Sequence, residues 1–290
     1  MAEAALRSGR SNRSAAEGAQ LNPQVPFGAW GLRAAALTYL LVLVAAPVLI
    51  IAFEGLRNGW DIFWGTISQP VAASAIWLSV WTAALMAVIN TLMGTLTAYV
   101  LVHYRFPGKR LLDTIIDLPF AIPTLVTGVM LVLLYGPQTV IGSFLQKNMG
   151  IRILFAPPGI VLALMFISYP FVIRAVQPVL AKLDLNQEEA AHTLGASKWT
   201  TFRRIVLPAI LPAMVTGGML SFARALGEFG SLAIVAGNIP MKTQVATVYI
   251  YGQVEGGNLP AASAVSLVLL LIALVTTLLA DSFMRRRQHA

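Results

Sequence analysis

Arg224 and Glu228 stand four residues apart inside a long apolar stretch of a chain with no cysteine and three histidines. That inventory decides which chemistry is open. Without cysteine there is no disulfide, thiolate metal site or thiol nucleophile, and three scattered histidines give an imidazole metal site no basis. No Ser-His-Asp grouping, His-Glu-x-x-His run or Gly-x-x-x-x-Gly-Lys-Ser/Thr phosphate loop occurs, so the chain is not expected to be an enzyme or its own ATPase. What remains is charge in an apolar setting. Ionised side chains at membrane depth are costly, so they pair or line a wet cavity. The spacing predicts Arg224 and Glu228 on one helical face. There they either pair to fix helix packing, or Arg224 faces a path that passes an anion while Glu228 holds it in place. A glutamate alone would repel the anion, so Glu228 is not expected to be a ligand. Asp113 and Asp117 are also four apart, and Lys109 precedes Asp113 by four, which favours a simple ion pair over a proton relay. Arg174 is expected to snorkel toward the membrane interface.

The second chemical feature is polar rather than ionic. Residues 186–208 form a polar stretch between two apolar ones, too hydrophilic to lie in lipid and rich in helix punctuation. Asn186 reads as an N-cap with Glu189 three positions on. The helix is expected to run through Leu194 and stop at Gly195 in the left-handed conformation. Ser197 then caps a second short helix with Trp199, Phe202 and Ile205–Val206 on its apolar side. Leu207-Pro208 marks the entry into the next span. An amphipathic loop on lipid headgroups is the alternative, but Glu188 and Glu189 would be repelled by anionic lipid. A groove on a soluble partner accounts for both the caps and the mixed charge.

The elements that carry these residues are membrane helices. Hydrophobic residues make up 57% of the chain and charged ones 11%, against about a quarter in a soluble globule. Six stretches are long enough to cross a bilayer, each needing about 20 residues: 34–53, 76–102, 114–135, 158–180, 209–231 and 261–282. All must be helical, because an open strand in lipid leaves its backbone unpaired. Pro119, Pro123, Pro170, Pro212 and Gly217–Gly218 predict kinks or close helix contacts within them. The first run exceeds the apolar part of a cleavable signal peptide and is expected to be retained. Residues 1–33 read as a mobile cytoplasmic tail, 34–284 as the membrane domain and 285–290 as a basic tail. The net charge of +8 is distributed at the ends of the spans rather than in one stripe. Lys and Arg locate the cytoplasm. Fourteen lie on the side of both termini and of residues 181–208, and four, Arg57, Lys147, Arg152 and Lys242, lie opposite. Both termini are therefore expected inside. Trp60, Trp64 and Trp77 read as an interfacial aromatic belt.

These residues carry a resemblance. Glu189-Ala190-Ala191, three residues, Gly195, nine residues and Ile205-Val206-Leu207-Pro208 match the EAA motif of the ABC importer permeases at each anchor. The resemblance implies an all-α, six-helix fold of the type I importer permeases. It implies coupling helices within 186–208 that sit in a cleft of a separate ATPase, and that Glu188, Glu189, Ala190, Ala191, Leu194, Gly195, Ile205, Leu207 and Pro208 serve that coupling. The run Ala225-Leu226-Gly227-Glu228-Phe229-Gly230 is similar to the sulfate and molybdate permeases. Leu118 to Thr124, Leu134 to Pro137 and Ala236 to Thr243 resemble the sulfate/thiosulfate T-type subunits. The likeness implies a bacterial inner-membrane subunit of an ATP-driven sulfate/thiosulfate importer. Its implied partners are a W-type sister permease, a cytoplasmic ATPase dimer that binds ATP and Mg, an extracytoplasmic sulfate-binding protein and the bilayer. The alternatives are a molybdate/tungstate permease or a secondary transporter driven by an ion gradient, for which inverted repeats and a carboxylate ion site would be expected.

Overall fold

The computed structural model describes residues 27–183 and 185–288, and their side chains except those of 27–29, 185, 186, 188, 192 and 284–288. The tail of residues 1–26 and the Asn186 cap therefore lie outside the described groups. The described residues are helical or in short turns and fall into two units, divided between Ile50 and Ile51. In the first, helix begins at Phe27, ahead of the expected span, and includes a π-turn at Leu41–Ala45. The segment Trp30–Leu56, α1, is long and apolar enough to cross a membrane.

In the second unit the helices are α2 (Trp60–Ile67), α3 (Pro70–His103), α4 (Lys109–Ala121), α5 (Thr124–Tyr135) and α6 (Val140–Met149). They are followed by α7 (Pro157–Lys182), α8 (Leu185–Thr193), α9 (Lys198–Leu226), α10 (Gly230–Val235), α11 (Ala246–Glu255) and α12 (Leu259–Gln288). Together with α1, the helices α3, α7, α9 and α12 have the length and hydropathy of spans. The expected third span is two helices, α4 and α5, bent by 112°. Counted as one broken span, the pair brings the number to six. The break falls at Pro123 rather than Pro119. Pro123 has no N–H to offer a helix and forces Ile122 before it into extended backbone, φ −84° and ψ 126°. Pro119 is accommodated inside α4.

The frame is a three-helix contact of α3, α7 and α9, with α12 against α9. In lipid there is little hydrophobic drive between helices, so close backbone approach and buried polar contacts hold them. Gly217 and Gly218 supply the approach, as their pairing in the sequence predicts. A Cβ at Gly217 would come within 2.9 Å of the Val172 Cα, and one at Gly218 would collide with the Thr91 hydroxyl. The Asn90 amide donates to the Met165 carbonyl across α3 and α7 (3.1 Å), and the Ser221 hydroxyl to the Ser168 carbonyl across α9 and α7 (3.2 Å). Trp60, Trp64 and Trp77 are exposed, with Trp60 stacked on Phe63. Gly217→Leu is expected to push α7 from α9 and to cost about 1–3 kcal/mol by overpacking. A fall in the thermal midpoint of the detergent-solubilised protein, with unchanged membrane insertion, checks this.

Candidate functional site

The polar element is built by its caps. α8 closes with the Ala196 N–H bonded to the Ala191 carbonyl at 2.9 Å, and Gly195 sits between them at φ +81°. This closure needs a residue in the left-handed region, which glycine enters without penalty. The Thr193 hydroxyl returns to the Ala190 carbonyl at 2.8 Å. The Ser197 hydroxyl then accepts from the Thr200 N–H at 3.2 Å, capping the next helix. Glu189, Ala190 and Leu194 are exposed, Leu194 at 87%, an unusual setting for a leucine at a helix end. Glu188 lies on α8, with its side chain outside the described ones.

Beyond Ser197 the expectation of a separate short helix is corrected. Lys198 begins α9, which continues without a break into the fifth span. The boundary that Pro208 suggested is a π-turn at Phe202–Val206, closed by the Leu207 N–H on the Phe202 carbonyl. Proline cannot donate to the carbonyl four residues back, and a one-residue widening of the helix relieves the conflict without ending it. Ile205 and Leu207 are half-buried in α9, Val206 is buried and Pro208 exposed. The predicted apolar side also divides. Phe202 packs edge-on against Tyr99, whereas Trp199 lies stacked on Phe202 and stays exposed.

Arg224 and Glu228 do meet, Nη1 to Oε2 at 3.1 Å, but not on one helical face. α9 ends at Leu226, and Glu228 stands in the turn before α10. Its other oxygen accepts from the Ser231 N–H and hydroxyl, both at 3.0 Å, and its backbone carbonyl accepts from the Thr247 hydroxyl at 2.7 Å. Glu228 is 2% exposed; Arg224 is 34% exposed. A buried carboxylate fixed by the Ser231 N–H and hydroxyl thus aims a guanidinium whose remaining N–H groups meet no acceptor among the described residues.

The other intramembrane arginine behaves oppositely, and sequence reasoning missed its role. Arg174 does not snorkel, and Lys109 does not pair with Asp113; Lys109 donates to the Tyr104 carbonyl. Arg174 instead bridges from α7 to α4. Its Nε and Nη2 fork onto the Asp117 carboxylate at 2.8 and 2.5 Å. Its Nη1 reaches Asp113 Oδ1 at 2.9 Å and Gln177 Oε1 at 2.6 Å, and Nη2 also reaches the Asp113 carbonyl at 3.0 Å. All five donors are used. The sequence signal was two acids on one helical face and an uncompensated arginine in the following span.

The chain is thus a bundle of helices long and apolar enough to cross a membrane, with a capped, solvent-facing polar element between two of them. The model of the family "binding-protein-dependent transport system inner membrane component" matches residues 90–289. The sulfate transport system permease CysT of Escherichia coli K12 is 39% identical over 82% of this chain and 86% of its own length. A probable sulfate transport permease of Chlorella vulgaris is 45% identical over 78% of this chain and 85% of its own. The chain belongs to the binding-protein-dependent permease family of ABC importers, among its CysT-type members. A subunit of a bacterial alginate ABC transporter shares the fold, with a TM-score of 0.72, 20% identity, and coverage of 89% of this chain and 93% of that one. As a permease component of an ABC transporter, the chain is not itself the ATPase.

Proposed function

We propose that this chain is one of two permease subunits of a sulfate importer, and that α8 with the turn at Gly195 engages the ATPase that drives it. The substrate reading is supported by relatives named for sulfate transport at 39–45% identity over about four fifths of the chain. The observation that carries the docking reading is Leu194, which follows a helix closed by its own hydrogen bonds and leaves its side chain 87% exposed among the described residues. Ala190 and Ala191 keep that face low enough for close approach, and Glu189 adds negative charge beside it. Ile205, Leu207 and Pro208 lie in α9 and act by anchoring the pair to the fifth span. ATP and Mg bind to the ATPase dimer, a W-type sister permease completes the path, and a sulfate-binding protein delivers the anion from outside. Closure of the ATPase pair moves α8 and, through it, the spans as rigid bodies.

Within the path, Arg224 is the cation offered to the anion. Arg174 is equally exposed, at 33%, but has no donor left and sits between two carboxylates. Arg224 keeps donors free and has its one acidic neighbour buried behind it.

Co-purification with the cognate ATPase tests the docking reading. ATP hydrolysis stimulated by the loaded binding protein, with sulfate, thiosulfate and molybdate compared, tests the substrate. Stimulation by molybdate alone would replace sulfate by its rival. Leu194→Asp is expected to leave the permease folded, since Leu194 is exposed among the described residues, and to weaken ATPase capture by about ten- to a hundredfold. Burying a leucine contributes about 1.5–3 kcal/mol, and a buried aspartate adds a desolvation cost. Unchanged capture in a pull-down titration would count against docking at this helix.

A further inference from the structure

We propose that Arg174, gripped by Asp113 and Asp117, is a strut that makes α4 move with α7, carrying displacement of α8 into the broken span. The inference rests on the coupling reading above. α7 ends at Lys182, two residues before α8, and its end is kept tight by the Leu183 N–H on the Leu180 carbonyl. Arg174 lies eight residues up the same helix, about 12 Å from its end at 1.5 Å per residue. A guanidinium fork on a carboxylate is directional, because both parallel bonds must be kept at once. Here the fork on Asp117 is joined by bonds to the Asp113 carboxylate and carbonyl, so translation or rotation of α7 against α4 breaks several bonds together, while Gln177, on α7 itself, steadies the guanidinium.

Apolar packing also joins these helices, with Ile116 of α4 buried in one cluster with Val172, Ile173, Val176 and Leu180 of α7, but such packing is not directional. Beyond the clasp the two helices line an open groove of about 370 Å³, with Leu112, Ile115 and Pro119 on one side and Met165, Phe166 and Tyr169 on the other. Beside that packing and the edge-to-face contact of Phe120 with Phe171, at 5.3 Å between ring centres, the ion cluster is the directional tie. Among the described residues no other side-chain hydrogen bond joins α4 to α7. The cluster carries one net negative charge and its guanidinium has no spare donor, so it repels an anion and is not a stop on its route. What α4 receives it hands on. After the bend, α5 packs against α10, which begins two residues after Glu228. Arg174 is thus a positioning residue. It acts on the path through helices, without contact to the anion.

The test uses the complete complex of both permeases, ATPase and binding protein in vesicles, and reads sulfate accumulated per ATP hydrolysed. Arg174→Gln is expected to lower that ratio at least about tenfold, within the usual range of coupling between sites, while ATP hydrolysis stays near wild type. The chain has no native cysteine, so Phe120→Cys and Phe171→Cys can be joined by a short bifunctional methanethiosulfonate. That link is expected to leave uptake intact in the otherwise wild-type chain and to restore the ratio in the Arg174→Gln chain. Three results would each overturn the strut: a normal ratio in Arg174→Gln, loss of wild-type uptake on linking, or a fall in assembly and hydrolysis together that linking does not reverse. A wild-type complex whose hydrolysis ignored the loaded binding protein would instead sink the coupling reading itself.

Discussion

Gly195→Val is expected to abolish uptake while leaving the permease inserted and folded. A Cβ at position 195 would meet no atom within 4 Å, so the effect does not arise from a clash. It arises from the backbone. Gly195 sits at φ +81°, where a residue with a side chain loses about 1–2 kcal/mol and a β-branched one loses more. Relaxing φ breaks the Ala196 to Ala191 bond, worth about 1 kcal/mol. α8 has nine residues, below the length at which a helix holds in water on its own. Its exposed side chains find little tertiary support, so a loss of about 2–3 kcal/mol exceeds what keeps it formed. Co-purification with the ATPase reports the outcome, alongside a thermal midpoint for the permease. Retained capture with retained uptake would show that the turn is not needed. Gly195→Asn, which tolerates the left-handed region, is expected to recover much of the loss.

Different parts of this site were legible to different degrees. The turn at Gly195 and the Ser197 cap were readable because capping is local: a glycine or serine beside a helical pattern determines its own few hydrogen bonds. The continuity of α9 was not. Pro208 signals a helix start in sequence, yet a proline conflict can be absorbed by a π-turn when the flanking residues Phe202 and Val206 are packed. The six apolar stretches were readable from length alone, but the 112° bend was not. Pro119 and Pro123 both permit a break, and the choice belongs to the surroundings of each.

The charged residues show the same boundary more sharply. Four-residue spacing identified three pairs, and the wrong partner was assigned to one. Lys109 and Asp113 satisfy the helical rule, but an exposed pair of this kind contributes only about 0.3–0.5 kcal/mol. A guanidinium held by five acceptors from two helices outweighs it. That partner lies 61 residues from Asp113 and 57 from Asp117. No local pattern encodes such a separation. Arg224 and Glu228 were paired correctly for a reason only half right, since the helix ends between them and the turn brings the carboxylate back.

Removing the Arg224 charge is the change with the largest expected effect on transport, and a single substitution would misreport it. Arg224→Ala leaves Glu228 buried and without its counter-ion, and breaking a buried pair from one side costs about 3–5 kcal/mol. Loss of uptake would then reflect loss of fold. The informative variant is Arg224→Ala with Glu228→Gln. The amide oxygen can still accept from the Ser231 N–H and hydroxyl, so the turn before α10 is retained without the buried charge. If Arg224 serves only to neutralise Glu228, the double variant recovers both thermal stability and uptake. If Arg224 stabilises the permeating dianion, stability returns and uptake does not. The second outcome is expected, with sulfate uptake down by about a hundredfold, on the basis of about 1.5–3 kcal/mol for a hydrogen bond to a charged group. Arg224→Lys separates charge from geometry. It is expected to fall between wild type and the double variant, because a point charge replaces the planar fork that fits a tetrahedral oxyanion.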